Sequence, residues 1–433
     1  MQEKITGEVK ISPAIFNITQ KIKNVSDFGK RIGEFLEKSV TEFSEVILAG
    51  AINLESSDIH IEPRGEKSKI RIRIDGILQD VLDFDFKMYQ GLLNRIKLLS
   101  GLKLNITDRP QDGRFSILMN KTAIEIRTSA LPAEYGETIV LRILNPKTLV
   151  ELEALGLRED LLEMFRKEIE KPNGMVIVTG PTGSGKTTTL YAFLKKVQKP
   201  EIKIITIEDP IEYRLEGISQ TQVKPKKGYD FASGLKSIMR QDPDVILVGE
   251  IRDLETAEIA LQAALTGHLV FTTLHTNDAA GTIARLTSLG AKITNIGPAI
   301  NMAVAQRLIR EVCKKCGEFK KASLQEAAKI KRGLKGMSSK IKIPGMEPGF
   351  KIPKVKGCQN CNFTGYRGRA GVFEVFLVGE EMEKFILNNP SIGALRKEAV
   401  KKGMVTMQQD GLIKVLNGTT TIEEIERVTG PIK

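Results

Sequence analysis

Hydrophobic and polar positions follow two different rhythms along this chain. From about residue 37 to 145 the period is mostly two. "KIRIRIDGILQDVLDF" (69–84) alternates around Asp75-Gly76, which predicts a β-hairpin with its turn at that pair. "GRFSILMNKTAIEIRTSA" (113–130) predicts a second hairpin turning near Asn120-Lys121, and "ETIVLRIL" (137–144) a further strand. Between them "YQGLLNRIKLLSGL" (89–102) has helical spacing. The segment is therefore an α+β domain with an antiparallel sheet. Residues 1–36 mix basic and apolar positions without a clean period and suggest a helical or loosely ordered lead-in. "NPKTLVELEALG" opens on Asn145-Pro146 and reads as a linker over 146–156.

From residue 157 to the C-terminus at 433 the rhythm changes to short apolar strands followed by helices. "GMVIVTG" precedes "KTTTLYAFLKKV"; "IKIITIE" follows; "DVILVGE" precedes "LETAEIALQAALTG"; and "HLVFTTL" precedes "DAAGTIARLTSLG". Fully apolar strands alternating with helices predict a mostly parallel sheet with helices on both faces, an α/β fold. A cysteine-containing basic segment over 310–370 and a helical tail over 371–433 complete the chain, and no internal repeat is visible.

At 433 residues the chain has room for two or three domains. Its start, "MQEKITGEVK", has no apolar core of a secretory signal, and no apolar run approaches the roughly 20 residues of a membrane helix, so the expected location is cytoplasmic. The net charge of +12 admits nucleic acid or an anionic surface as a partner. Much of that excess sits in "KKCGEFKKASLQEAAKIKRGLKGMSSKIKIPG" (314–345), which favours a solvated lysine-rich face. Tryptophan is absent and aromatics are sparse, which argues against a protein that stacks single-stranded bases. The expectation is that no nucleic acid binds.

The apolar run 175–178 leads into Gly180-Pro181-Thr182-Gly183-Ser184-Gly185-Lys186-Thr187-Thr188. This fits G-x-x-x-x-G-K-[ST] between a predicted strand and a predicted helix, the context the motif requires. Glycines let successive N–H groups converge on an anion, and the helix that follows adds its positive end. Lys186 then reaches the β- and γ-phosphates of ATP, and the Thr187 hydroxyl is a candidate Mg²⁺ ligand.

Hydrolysis also needs an acidic partner. "DVILVGEIRD" places Glu250 at the end of a strand, where a carboxylate orients or activates water. Gly249 stands where P-loop enzymes at large carry the metal-binding Asp. Glu208, Asp209 and Glu212 of "IEDPIEY" are the alternative acids. "TGHLVFTTLHTND" ends a strand with Thr272, Thr273, His275 and Thr276, at the edge where open α/β sheets bind ligands. His275 is a candidate γ-phosphate sensor or subunit bridge. His268 begins the same strand and reads as structural. His60 alternates with Ile59 and Ile61 and is expected to face away from their core. A site of this kind often borrows an arginine. Arg114 and Arg127 are placed to project from the first domain's sheet, and Arg142 sits in an apolar strand where an anionic partner is expected.

All four cysteines fall in two CxxC pairs, Cys313/Cys316 and Cys358/Cys361. Two such knuckles supply four thiolates for a closed, structural Zn²⁺ site, with a lysine-rich insertion looping out between them.

Taken in order, "GPTGSGKTTTLY", "IEDPIEY", "DPDVILVGEIRD" and "TGHLVFTTLHTND" resemble the Walker A, Asp-box, Walker B and His-box stretches of the GspE/PilB family, the ATPases of type II secretion and type IV pilus assembly. "SSDIHIEP", "RIRIDG", "RPQDGR" and "TSALPAEYGETIVLRIL" resemble that family's second N-terminal domain; the tetracysteine pair and the last stretch, "QQDGLIKVLNGTTTIEEIERVTG", resemble its C-terminal part. The resemblance implies a RecA-like ATPase domain over 157–433 that carries the zinc subdomain, preceded by a smaller PAS-like α+β domain. It implies a homohexamer on the cytoplasmic face of the inner membrane that drives pilin assembly through a polytopic platform protein. Arg114 and Arg127 match the family's nucleotide-reaching arginines, and its Walker B also has Gly before Glu. Retraction ATPases share the four boxes but generally lack the cysteines. About 40 residues precede the second N-terminal domain, at the position where many members carry a first domain that anchors the protein or binds a cyclic dinucleotide. A nucleic-acid translocase and a nucleotide-gated scaffold without turnover are the competing classes.

Overall fold

The computed structural model describes residues 7–120, 122–146 and 150–432. They form two compact units. The first takes residues 7–146 together with Cys313–Gly317 and Val355–Gly368; the second takes residues 150–312, Glu318–Lys354 and residues 369–432.

The first unit is built on a seven-stranded sheet of β1 (Glu8–Lys10), β2 (Asp58–Arg64), β3 (Lys67–Ile74), β4 (Ile77–Asp85), β5 (Gln111–Met119), β6 (Thr122–Ala133) and β7 (Gly136–Leu144), in the order β1-β5-β6-β7-β2-β3-β4. All neighbours pair antiparallel except β1, which lies parallel to β5. The β3–β4 hairpin turns at Asp75 (φ 50°) and Gly76 (φ 81°), the two left-handed residues that a two-residue turn between twisted strands demands. The second hairpin turns at Asn120 (φ 47°); Lys121, the other residue of that turn, lies outside the described residues.

Residues 7–36 contribute β1 and two helices, α1 (Pro13–Thr19) and α2 (Val25–Gly33). The alternating apolar residues Ile59, Ile61, Ile70, Ile72, Ile117, Ile124, Ile126, Ile139 and Leu141 are fully buried. They share one core with α3 (Val40–Asn53) and α4 (Phe86–Leu99). The polar alternates therefore lie on the opposite face of the sheet.

The second unit centres on β8 (Gly174–Thr179), β9 (Ile204–Glu208), β10 (Ser219–Gln222), β11 (Val245–Val248), β12 (Leu269–Leu274), β13 (Ile300–Val312) and a late strand (Tyr366–Leu377). The order is β10-β9-β11-β12-β8-β13 followed by that late strand, and every pair from β10 to β13 is parallel. Alternate residues of β8 enter different cores. Met175 and Ile177 pack with α7 (Phe231–Ile238) and α8 (Leu254–Leu265), while Val176 and Val178 pack with α5 (Glu159–Ile169) and α6 (Lys186–Val197). Both faces of the sheet are thus covered, which is why its strands are apolar throughout. No helix among the described residues is long and apolar enough to cross a membrane.

Candidate functional site: a P-loop with an acidic strand end

In a doubly covered parallel sheet, ligands bind beyond the carboxyl ends of the strands. Residues 180–185 leave β8 at that edge and turn into α6. Gly180, Gly183 and Gly185 have φ of 146°, 79° and 88°, a run that side chains other than glycine rarely follow. At Gly180 space is also decisive: a Cβ there would lie 2.4 Å from the Gln306 carbonyl oxygen and 2.7 Å from Ser184 Oγ. No side chain caps the first turn of α6, so the helix start is open to an external acceptor. Pro181, Thr182 and Gly183 are exposed, and Thr187 and Thr188 are half-buried.

Lys186 bends back onto its own loop, its Nζ donating to the carbonyls of Gly180 (2.7 Å) and Pro181 (3.2 Å). Its pKa lies below the usual 10.5, chiefly because burial disfavours the ammonium; Glu250 and Glu212 oppose that shift. Added phosphate charge favours the ammonium and must raise the value. Nucleotide binding should therefore take up a proton between the depressed free value and the raised bound one, and affinity should fall as pH rises through that window. Calorimetry of nucleotide binding in buffers of different ionisation enthalpy, at alkaline pH, should show the uptake in the native chain and lose it in Lys186→Ala. Equal heats in all buffers would contradict it.

β11 is buried throughout and delivers Glu250 two residues past its end. Three strand ends are stitched together there. Thr273 Oγ1 donates to the Gly249 carbonyl (2.7 Å), Ile251 N–H to the Thr273 carbonyl (3.1 Å), and Gly249 N–H to the Ile207 carbonyl (2.8 Å). A Cβ at Gly249 would lie 3.2 Å from the Ile207 carbonyl oxygen and 3.3 Å from Glu208 Cα. A side chain here would thus press on the β9 backbone. The Glu250 carboxylate is held from two sides: Arg252 donates to Oε1, and His275 Nε2 lies 3.3 Å from Oε2. Arg252 also lies 3.8 Å from Asp209. Thr179 Oγ1 donates to the Leu274 carbonyl (2.9 Å) and accepts from Thr276 N–H (2.8 Å), which ties the base of the glycine loop to the His275 segment.

The structure thus brings Glu250 together with His275 and, through Arg252, with Asp209, and Lys186 feels the charges of Glu250 and Glu212. It does not bring Glu208 with them. That side chain is 4% exposed; it accepts from Thr206 and Gln220 on one oxygen and from Tyr191 on the other, and burial raises its pKa. Thr272 is fully buried, and His268 bonds back to the Ala263 carbonyl (3.1 Å). One residue was not singled out in the sequence. Gln306, on β13 and 2% exposed, accepts from Thr189 of α6 (2.7 Å) and lies directly beneath the loop. A buried glutamine inside "MAVAQRLI" was the available signal.

In the first unit Arg114, Arg127 and Arg142 are register partners across β5, β6 and β7, and Asp58 of β2 and Arg73 of β3 continue the row. Asp58 is the anionic partner expected for Arg142, at 3.1 Å, and it also lies 3.4 Å from Arg73. Arg127 has Glu125 at 3.7 Å. Like charges on adjacent strands repel, so such a row favours an added anion. His60 is half-buried on this same polar face, between its register partners Arg71 and Val140.

The four cysteine sulfurs lie within 4.8 Å of one another, with Cys316–Cys361 at 3.7 Å and Cys358–Cys361 at 3.8 Å. A tetrahedral Zn²⁺ with bonds of about 2.3 Å places its sulfurs about 3.8 Å apart, so the donor set fits that ion.

A parallel sheet whose first βα turn is a glycine cradle, with an acidic strand end beside it, defines a P-loop nucleotide-binding protein. The family model described as type II/IV secretion system protein matches residues 36–427. Type II secretion system protein E of Xanthomonas campestris pv. campestris is 42% identical over 91% of this chain and 68% of that protein. The type IV pilus assembly ATPase PilB of Myxococcus xanthus is 38% identical over 99% of this chain and 74% of its own length. Among solved structures, the pilus retraction motor PilT with bound ADP aligns with a TM-score of 0.59 at 25% identity, covering 88% of this chain and 96% of that one. The chain belongs to the type II/IV secretion system protein family, as a secretion ATPase of the GspE/PilB type.

Proposed function

We propose that this chain is the motor of a type IV pilus or a type II secretion pseudopilus. In this reading it works as a cytoplasmic homohexamer at the inner membrane, and ATP turnover moves a polytopic platform protein. The observation that carries the reading is the position of Glu250, fixed by Arg252 and His275 at the strand end whose charge Lys186 feels. Gly180 to Thr188 hold the triphosphate, and Lys186 leaves its two loop carbonyls for the β- and γ-phosphates. Thr187 would hold Mg²⁺, which would supply positive charge to the phosphates. Glu250 orients the attacking water and accepts its proton. His275 meets the γ-phosphate side of the site.

Arg114 and Arg127 supply positive charge to a nucleotide from a first unit. The row they form with Arg142 and Arg73 on one sheet face is a reason to assign them that role, because it gathers cationic side chains at adjacent register positions. The four cysteines hold structural Zn²⁺, and the presence of that module favours assembly over retraction.

The test is mass measurement and phosphate release on the purified chain. Six copies of the 47.9 kDa protomer should form with Mg²⁺ and a non-hydrolysable analogue, and Mg²⁺-dependent phosphate release should follow with ATP. A persistent monomer under saturating nucleotide, with turnover at background, would sink the motor reading. Strong stimulation by DNA would transfer it to a translocase.

A further inference from the structure

The two cysteine knuckles belong to the same compact unit as the N-terminal sheet. Two hydrogen bonds hold them there, and both acceptors are side chains of left-handed residues. Asn362, directly after Cys361, has φ 50°, and its Oδ1 accepts the Val25 N–H at 2.7 Å, across 337 residues of sequence. Asp75, in the β3–β4 turn, also has φ 50°, and its Oδ2 accepts the Gly368 N–H at 3.0 Å.

Val25 is the first residue of α2, and a helix leaves its first N–H groups without internal acceptors. The helix's own cap, Asn24, serves only Asp27 (2.8 Å). Val25 is buried, so its N–H has no ready access to water, and an unmade bond there costs the desolvation of the group.

Asn362 is in place only because the Cys358–Cys361 turn ends in two successive left-handed residues, Asn362 and Phe363 (φ 60°). Non-glycine residues hold such a backbone only when their surroundings over-determine it. The turn is fixed internally by Cys358 N–H to Cys361 Sγ (3.2 Å) and by Phe363 N–H to the Cys358 carbonyl (2.9 Å). On the other ligand pair, Asn360 Nδ2 donates to Cys313 Sγ at 3.7 Å. Ligation of Cys358 and Cys361 would fix this same turn.

We infer that the metal-loaded tetracysteine module is a clasp on the N-terminal unit: it caps helix α2 through Asn362 and grips the β3–β4 turn through Asp75, so metal loading and the order of that unit are thermodynamically linked. The inference rests on the zinc assignment above. Linkage is reciprocal: what the metal does for α2, the clasp residues do for the metal.

The test uses the full chain loaded with Zn²⁺. Glycine tolerates φ 50°, so Asn362→Gly and Asp75→Gly delete each acceptor without straining the backbone. Each should weaken zinc about threefold to tenfold in competition with a chromogenic chelator, the worth of one hydrogen bond. The double variant should multiply the losses, and Asn362→Asp, which keeps an acceptor, should restore affinity. Hydrogen exchange at Val25 and Ser26 should rise in zinc-loaded Asn362→Gly and in the chelator-stripped native chain, while exchange in β8 and α6 stays unchanged. Zinc absent from the native chain would overturn the clasp by removing its metal, and with it the zinc assignment. Stoichiometric zinc with unchanged affinity and unchanged exchange in both glycine variants would overturn the clasp alone and leave that assignment standing.

Discussion

Lys186→Ala should abolish ATP turnover while leaving the fold intact. In the loop the ammonium contributes two hydrogen bonds to neighbouring carbonyls, both part of the glycine turn itself. Removing it costs stability of about 1 kcal/mol at most, because those carbonyls can turn to water. With nucleotide bound the same group is the only side-chain cation that the glycine turn itself supplies. Its bonds to phosphate oxygens would be charge-assisted and strengthen as negative charge moves onto the transferring group. Losing about 4 kcal/mol of that stabilisation lowers turnover about a thousandfold. Nucleotide affinity should fall by less, about tenfold to a hundredfold, since the backbone amides remain. Phosphate release, nucleotide titration and thermal melting of the same sample check the three parts. Lys186→Arg should not rescue, because a planar guanidinium does not act as the compact point charge this cradle encloses. Native turnover in a folded Lys186→Ala protein would remove the basis for the whole site.

The cradle was legible in the sequence because its physics is local. Glycine spacing, a preceding apolar strand and a following helix fix the backbone within a dozen residues. The Asp75-Gly76 turn was legible for the same reason, and the strand pattern around it gave β3 and β4. What the sequence withheld is pairwise and distant. Arg142 signalled an anionic partner, but only the register of β7 against β2 identifies Asp58. Gln306 stands out in the sequence only as a glutamine inside an apolar run; its place under the loop follows from β13 lying parallel to β8. Likewise the pairing of β1 with β5 depends on an edge made by strands a hundred residues later. Of the acids in "IEDPIEY", Glu208 is the catalytic candidate from the sequence, with Asp209 and Glu212 as further acids. The structure separates them by which way each points: Glu208 turns back toward Tyr191, whereas Asp209 lies near Arg252. The left-handed backbone at Asn362 was equally hidden, because asparagine after a knuckle cysteine is as compatible with an ordinary exposed loop.

The second large effect concerns Glu250. Glu250→Gln keeps the side chain's volume and an amide oxygen for Arg252, so the stitched strand ends Thr273–Gly249 and Ile251–Thr273 should persist. Nucleotide should bind at least as tightly as in the native chain, since a negative charge beside the phosphate site has been removed. Turnover should nevertheless fall about a hundredfold to a thousandfold, the range expected when a general base is lost. The pairing of retained binding with lost chemistry separates this residue from Lys186, whose removal weakens both. Arg252→Ala supplies a further contrast. It frees Glu250 from its closest partner without removing the base, so it should lower turnover by less than Glu250→Gln does. Single-turnover assays that follow bound ATP by quenching, with filter binding run in parallel, resolve the two steps. If Glu250→Gln hydrolysed ATP at the native rate, water activation would have to pass to another acid. Asp209 is then the next to test, because among the acids that follow β9 it alone shares Arg252 with Glu250.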